Sequence, residues 1–256
     1  ELRAGTPGVK YLYTGNGILT FQQTFRHQKF IQDATAAILI DDNGGEITTT
    51  YALGDAITNI IGTVAVFNGM TQFTPLFDPG APASSGNPIT PEVVSLATLN
   101  ANWENYESEL IKIPNITFTG ATGNFANGTI YPVTDINSTA ANFRTTFYDV
   151  DYIGTPVPSA REDIVVIPNS RVDGDFITAR SLADFIYNSS DNIMITEIMY
   201  NPPDAGNDTI EFIEVFNKGV SNVNLNGWYF SKGITYIFPD TTLGAGNYFV
   251  VARDAI

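Results

Sequence analysis

Aromatic and basic side chains interleave in one short stretch, as Phe21, Phe25, Arg26, His27, Lys29 and Phe30. Flat rings stack on bases or sugars, and cations hold the polar groups beside them, so this is the pattern of a ligand-gripping hairpin. The structural alternative is that alternate rings fill a core while the basic groups stay solvated. A second cluster, Asp204, Asp208 and Glu211, offers the hard oxygen donors that calcium takes. Its spacing departs from the Asp-x-Asp-x-Asp-Gly loop, and a solvated acidic loop accounts for it equally. Asp41, Asp42 and Glu46 flank Asn43-Gly44-Gly45, where a hairpin turn is explanation enough. Glu197 and Glu214 are a carboxylate pair of the kind that glycosidic acid–base chemistry uses. Alternation sets Glu214 on the face of Phe212 and Phe216, and Glu197 on the face of Ile195. Half-buried carboxylates accepting backbone N–H bonds are the preferred reading of both.

The rest of the composition narrows the chemistry. The chain has 256 residues, no cysteine and one histidine, His27. That removes thiol nucleophiles, disulfides, zinc fingers and multi-histidine metal centres. No Gly-x-Ser-x-Gly elbow, phosphate loop or zinc-protease helix occurs. An intrinsic enzyme is therefore not expected, nor a cofactor other than calcium at the acidic loop. The net charge is −15, spread as −4 over residues 1–98, −6 over 99–187 and −5 over 188–256. Non-specific nucleic-acid binding needs cations that displace counterions, so an evenly acidic chain is a poor candidate for it. No apolar run nears the roughly 20 residues of a membrane helix, and membrane insertion is not expected. A signal peptide is not visible, though a mature chain would have lost one.

The elements that must position these residues read as strands. Candidates are 9–14, 17–23, 29–32, 36–40, 46–51, 56–67 and 70–77, with Asn68-Gly69 as a hairpin turn. Residues 81–98 form a Pro/Gly/Ser-rich linker, placing a boundary after an N-terminal domain of residues 1–80. Thr90 caps a helix beginning at Pro91, and 99–106 is a second short helix. Strands resume at 109–118, 129–134, 142–147, 163–168 and 175–178, and 181–187 is one or two helical turns closing a domain of residues 99–187. Five more strand-like runs follow Asn188–Asn192: 193–200, 209–217, 223–230, 234–238 and 248–252. A faint repeat joins the first two domains. Phe30-Ile31-Gln32-Asp33 matches Pro132-Val133-Thr134-Asp135, and Asn68-Gly69 matches Asp173-Gly174, at offsets of 102 and 105 residues. Five strands per repeat suit a small Greek-key barrel such as an OB-fold, in which a hairpin like Phe21–Phe30 faces the usual ligand groove.

Two resemblances sharpen this. Residues 192–256 carry Ile195-Thr196-Glu197-Ile198-Met199-Tyr200-Asn201-Pro202-Pro203, then Glu211-Phe212-Ile213-Glu214-Val215-Phe216-Asn217. Val223-Asn224-Leu225-Asn226-Gly227-Trp228, Phe238-Pro239 and Gly246-Asn247-Tyr248-Phe249-Val250-Val251-Ala252-Arg253 follow in order. This segment resembles a lamin-tail domain, which implies an immunoglobulin-like β-sandwich, incomplete at Ile256, with Glu197 and Glu214 at structurally acidic positions. An incomplete sandwich leaves an edge open to strand addition. Residues 1–187 resemble tandem OB-fold-like units of secreted Bacteroidetes surface proteins. Phe30-Ile31-Gln32-Asp33, Leu53-Gly54-Asp55, Gly62-Thr63 and Gly69-Met70-Thr71-Gln72-Phe73 carry the first unit. Val133-Thr134-Asp135, Gly174 and Arg180-Ser181-Leu182-Ala183-Asp184-Phe185 carry the second. That resemblance also implies O-glycosylation at Asp208-Thr209-Ile210 and Asp240-Thr241-Thr242.

The expected fold is all-β: two OB-like barrels, then a partial sandwich. The expected function is a non-catalytic binding, adhesion or spacer segment, extracellular or at the cell surface, within a larger multidomain protein. Its partner would be a protein or glycan. The alternative is an accessory module of a secreted nuclease or phosphoesterase whose catalytic domain lies elsewhere. A further reading has the Phe21–Phe30 hairpin gripping single-stranded nucleic acid or a glycan.

Overall fold

The computed structural model describes residues 2–159, 161–187, 192–200, 211–219, 222–230 and 232–253. The chain divides into two compact units, residues 1–187 and 188–256. It is all-β, with only short helices. Among the described residues no helix is long and apolar enough to cross a membrane.

In the first unit, a 3-10 turn at Leu2–Ala4 precedes β1 (Lys10–Tyr13), β2 (Gly17–Gln22), β3 (Lys29–Gln32) and β4 (Ala37–Ile40). Then come β5 (Ala56–Ile57), β6 (Ile60–Phe67) and β7 (Met70–Pro75). These strands form one sheet in the order β1-β6-β7-β4-β3-β2-β5. β4 and β7 run parallel; the other pairs are antiparallel. β5 leads straight into β6, so this one bent line pairs with β2 at one end and β7 at the other, curling the sheet into a barrel. Asn68 and Gly69 both take positive φ, +54° and +94°, the conformation a two-residue hairpin turn requires. Gly62 is needed for another reason: a Cβ there would stand 2.5 Å from the Thr74 carbonyl oxygen.

A second seven-stranded sheet comprises β8 (Glu92–Val93), β9 (Ile111–Phe118), β10 (Ile130–Thr134), β11 (Ala140–Arg144), β12 (Glu162–Arg171), β13 (Gly174–Thr178) and β14 (Phe185–Tyr187). Again a meander, β9-β10-β11, meets a parallel partner, β13, and β12 pairs with both β13 and β9 to close the barrel. The repeated segments take equivalent places. Phe30–Asp33 and Pro132–Asp135 end the second strand of each meander, and both aspartates accept backbone N–H bonds in the turn that follows. Asn68-Gly69 and Val172-Asp173 are the turns of the last antiparallel pair, so the matched Asp173-Gly174 falls one residue further on, Gly174 already pairing with Arg171.

Some elements differ from the sequence expectation. Residues 46–51 form no strand. Asp42 accepts from the N–H groups of Glu46 and Ile47, and Asp78 from those of Thr48 and Thr49, so carboxylates replace a neighbouring strand. Pro91 does not open a helix: Glu92–Val93 pairs in parallel with β9. The helix α1 (Leu96–Ala101) starts instead behind Ser95, whose Oγ accepts from Thr98 N–H at 3.1 Å, and α2 (Trp103–Tyr106) follows. The segment 181–187 gives one 3-10 turn, Leu182–Asp184, and then β14.

The second unit contains β15 (Ile193–Met199), β16 (Phe212–Asn217), β17 (Val223–Asn224), β18 (Thr242–Leu243) and β19 (Tyr248–Ala252). The sheet β15-β16-β19 and the pair β17–β18 enclose Val215, Val223, Leu225, Phe238, Leu243 and Val251. The expected strand 223–230 stops at Asn224 because its side chain accepts from Asn226 N–H and turns the chain towards Gly227, at φ +75°. Residues 234–238 form no strand, only a bridge between Tyr229 and Ile237.

Candidate binding cleft between the two barrels

The hairpin residues separate into buried and exposed sets for a reason visible in their strands. In β3 and β4 neighbouring side chains point to opposite faces, yet both faces are buried. Ile31, Ile38 and Ile40 fill the first barrel, with Leu19, Ile60, Val64 and Phe73. Phe21, Phe30 and Leu39 point outward and join the core of the second barrel. Their partner is Phe147, from the segment after β11. Its ring lies 4.5 Å from that of Phe21 and 5.5 Å from that of Phe30. The rings of Phe21 and Phe30 thus neither fill their own barrel nor face solvent.

Polar bonds complete the junction. Arg180 donates to the Thr20 carbonyl at 2.9 Å, and Leu110 N–H donates to Gln32 Oε1 at 2.8 Å. Thr24 donates its N–H and hydroxyl to Asp149, and Tyr148 N–H donates to Gln23 Oε1. Arg3 donates to the carbonyls of Glu104 and Glu107 and pairs at 3.0 Å with the fully buried Glu107 carboxylate, which also accepts from Thr71 N–H. Burial pushes the Glu107 carboxyl up.

The other expected ligand residues lie at the edge of this junction. Phe25 is 45% exposed and its ring packs 4.8 Å from that of Tyr148, itself 55% exposed. Arg26 is bound to Asp41 through Nε at 2.7 Å and again through Nη2. Burial raises the Asp41 carboxyl, but the bonds from Arg26 and Gln28 outweigh it and hold that group below the usual carboxylate range. His27 Nδ1 sits 3.2 Å from the Asp42 carbonyl. Lys29 is buried, donates to the His27 carbonyl, and has its pKa lowered by burial.

Between the barrels these residues leave a cleft of about 250 Å3. Phe30, Leu39 and Phe147 form its apolar back, and Asp41, Gln72 and Asn169 its polar floor. Phe25, Tyr148 and Phe67 rim it, the last being 60% exposed. Sequence reading missed the contribution of Tyr148, Phe67 and Arg171. The repeat was the available signal, since it pairs the turn beside Phe67 with the turn beside Arg171.

Of the calcium candidates, Asp204 and Asp208 lie outside the described residues, as does Asp208-Thr209-Ile210. Glu211 pairs with Arg253 at 3.2 Å. Among the described residues no three His, Cys, Asp or Glu side chains gather to hold a metal ion. Glu197 and Glu214 face each other directly across β15 and β16. A bulge between Ile195 and Glu197 shifts the register, so Glu197 shares the face of Glu214 rather than that of Ile195. Glu197 is exposed, and Glu214 accepts from the Thr196 hydroxyl at 2.6 Å rather than from a backbone N–H.

No curated protein and no solved structure matches the chain. Residues 187–255 match the family model of the Lamin Tail Domain, an immunoglobulin-like fold, so the second unit is similar to that domain.

Proposed function

We propose that this chain is a non-catalytic binding and spacer module of a secreted or cell-surface protein, and that the inter-barrel cleft is its ligand seat. The observation that carries this is the cleft itself, walled by two barrels, the first of which packs Phe21, Phe30 and Leu39 into the core of the second, and rimmed by three exposed rings. Concave, mostly apolar sites with a few placed polar groups are where small ligands bind. Both barrels have the 1-2-3-5-4-1 strand order of an OB-like fold, and the first lends the cleft its first loop and the turn between its last two strands. Those are the loops such barrels use for oligosaccharides and oligonucleotides. The acidity of every third of the chain favours the glycan. The lamin-tail-like unit supports the spacer and docking part, since its sheet edge β15 is open to strand addition among the described residues.

The test is a glycan and nucleic-acid array probed with the whole chain and with the double variant Phe25→Ala/Tyr148→Ala, each with calcium and with chelator. Glycan binding that is lost in the variant and indifferent to chelator supports the cleft. Binding that survives the variant but falls with chelator moves the site to the acidic loop near Glu211.

A further inference from the structure

Resting on that reading, we infer that the cleft selects an acidic sugar, a ring carrying a carboxylate in the manner of a uronic acid. The polar atoms of the cleft are spent unevenly. Several of its acceptors are taken: the two Asp41 oxygens by Arg26, Gln28 and Gln72, Gln23 Oε1 by Tyr148 N–H, and Ser170 Oγ by Trp103 Nε1–H. The Asn169 amide donates to two carbonyls and a hydroxyl of its own barrel. Donors remain. Arg171, at the end of β12, lines the cleft with a side chain 37% exposed, and its Nε is buried with no hydrogen-bond partner among the described residues. The nearest carboxylate oxygen, Oδ1 of Asp173, is 3.8 Å away, beyond hydrogen-bonding reach, and Asp173 is already paired at 2.7 Å with Arg144. Because Nε is shut off from solvent, a ligand in the cleft meets the terminal Nη nitrogens, which make no hydrogen bond among the described residues. The guanidinium fork fits a carboxylate with two parallel bonds.

Geometry separates this ligand from its rivals. Phe25 and Tyr148 line the same cleft as Arg171 and offer a ring surface suited to the apolar face of a sugar. An acidic peptide would gain most by adding to a strand edge. None is free here: β7 lies between β6 and β4, and β12 is flanked by β13, β14 and β9. A polyphosphate chain meets the −10 of the first two thirds of the sequence, whereas a single carboxylate needs one guanidinium only.

The experiment is calorimetric titration of the whole chain with a neutral oligosaccharide carrying one uronic acid ring, its carboxyl-reduced counterpart, a poly-glutamate peptide and a thymidine oligonucleotide. The sugar with the single uronic acid should bind at least tenfold tighter than the other three. Arg171→Gln should abolish that preference, and Arg171→Lys, which keeps the charge and loses the fork, should retain part of it. Melting curves confirm that both variants fold. Equal binding of the acidic and neutral sugars, unchanged in Arg171→Gln, overturns the acid selectivity and leaves the cleft as a glycan seat. Tighter binding of the peptide or the oligonucleotide also overturns it. Sugar binding that persists in Phe25→Ala/Tyr148→Ala overturns both the selectivity and the cleft.

Discussion

Phe25 and Phe147 are both phenylalanines at the same junction, yet they do opposite work. Phe147 is 2% exposed and bridges two barrels, so Phe147→Ala leaves a cavity. Loss of about 3–5 kcal/mol is expected, measurable by urea unfolding. Phe25 and Tyr148 are half exposed, and replacing either with alanine should cost less than about 1 kcal/mol while weakening ligand binding tenfold or more. The type and spacing of Phe21, Phe25, Arg26 and Phe30 were legible as a ligand pattern. Which rings remain open was not, because Phe147 is remote in sequence and only the folded junction brings it over Phe21 and Phe30. Arg26 and His27 take consecutive positive φ angles, +51° and +46°, in non-glycine residues, which aims the Arg26 guanidinium back at Asp41. Nothing in residue type signals such a bend. In the second unit, Glu197 opposite Glu214 sets like charges side by side. Glu197→Gln should raise its stability by about 0.5 kcal/mol in a chemical melt.

Strands were the most legible elements, because β-branched and aromatic runs punctuated by Asn-Gly and Asp-Gly turns leave few alternatives. The failures share a cause. At 46–51 the aspartates Asp42 and Asp78 satisfy the backbone, at Pro91 a parallel pairing overrides a capping signal, and at Thr196 a bulge reverses a face. Apart from the local Asp42 turn, each depends on a partner distant in sequence. β12 shows the same at the level of charge. Glu162 opens it opposite Ile116 and Tyr187, and burial there pushes its carboxyl up to about 7. Glu109, just before β9, is raised to about 6 by burial and by nearby Glu92. A carboxyl raised on folding stabilises the folded state fully below its unfolded value, near 4.5, and loses that contribution as pH climbs through the folded value. Asp41 and Asp78 are lowered by hydrogen bonds, so their contribution is present above about pH 4 and lost in acid. The melting temperature of the first unit should therefore peak near about pH 5 and decline towards about pH 8. Glu162→Gln should flatten the decline.

Across the whole molecule, the sequence repeat proved to be a repeat of topology, with matching strands, turns and parallel pairs in both barrels. The Pro/Gly/Ser-rich stretch between them is tied to the first barrel, through Ala83 N–H to the Ala56 carbonyl and Asn87 N–H to the Gly54 carbonyl. With one hydrophobic cluster spanning both barrels, residues 1–187 should unfold in a single calorimetric transition, with calorimetric and van't Hoff enthalpies equal for that unit. The composition of the sequence shows two strand-rich halves but not that Phe21, Phe30 and Leu39 on the outside of the first join the core of the second. That junction is what holds the cleft open and fixes its rims. The most direct test is hydrogen exchange measured by mass spectrometry on the whole chain, with and without a saturating glycan selected on the array. Exchange should slow together in Thr24–Lys29, Asn68–Gln72 and Thr146–Tyr148. Slowing confined to residues beyond Asn192 would contradict the cleft as the ligand seat.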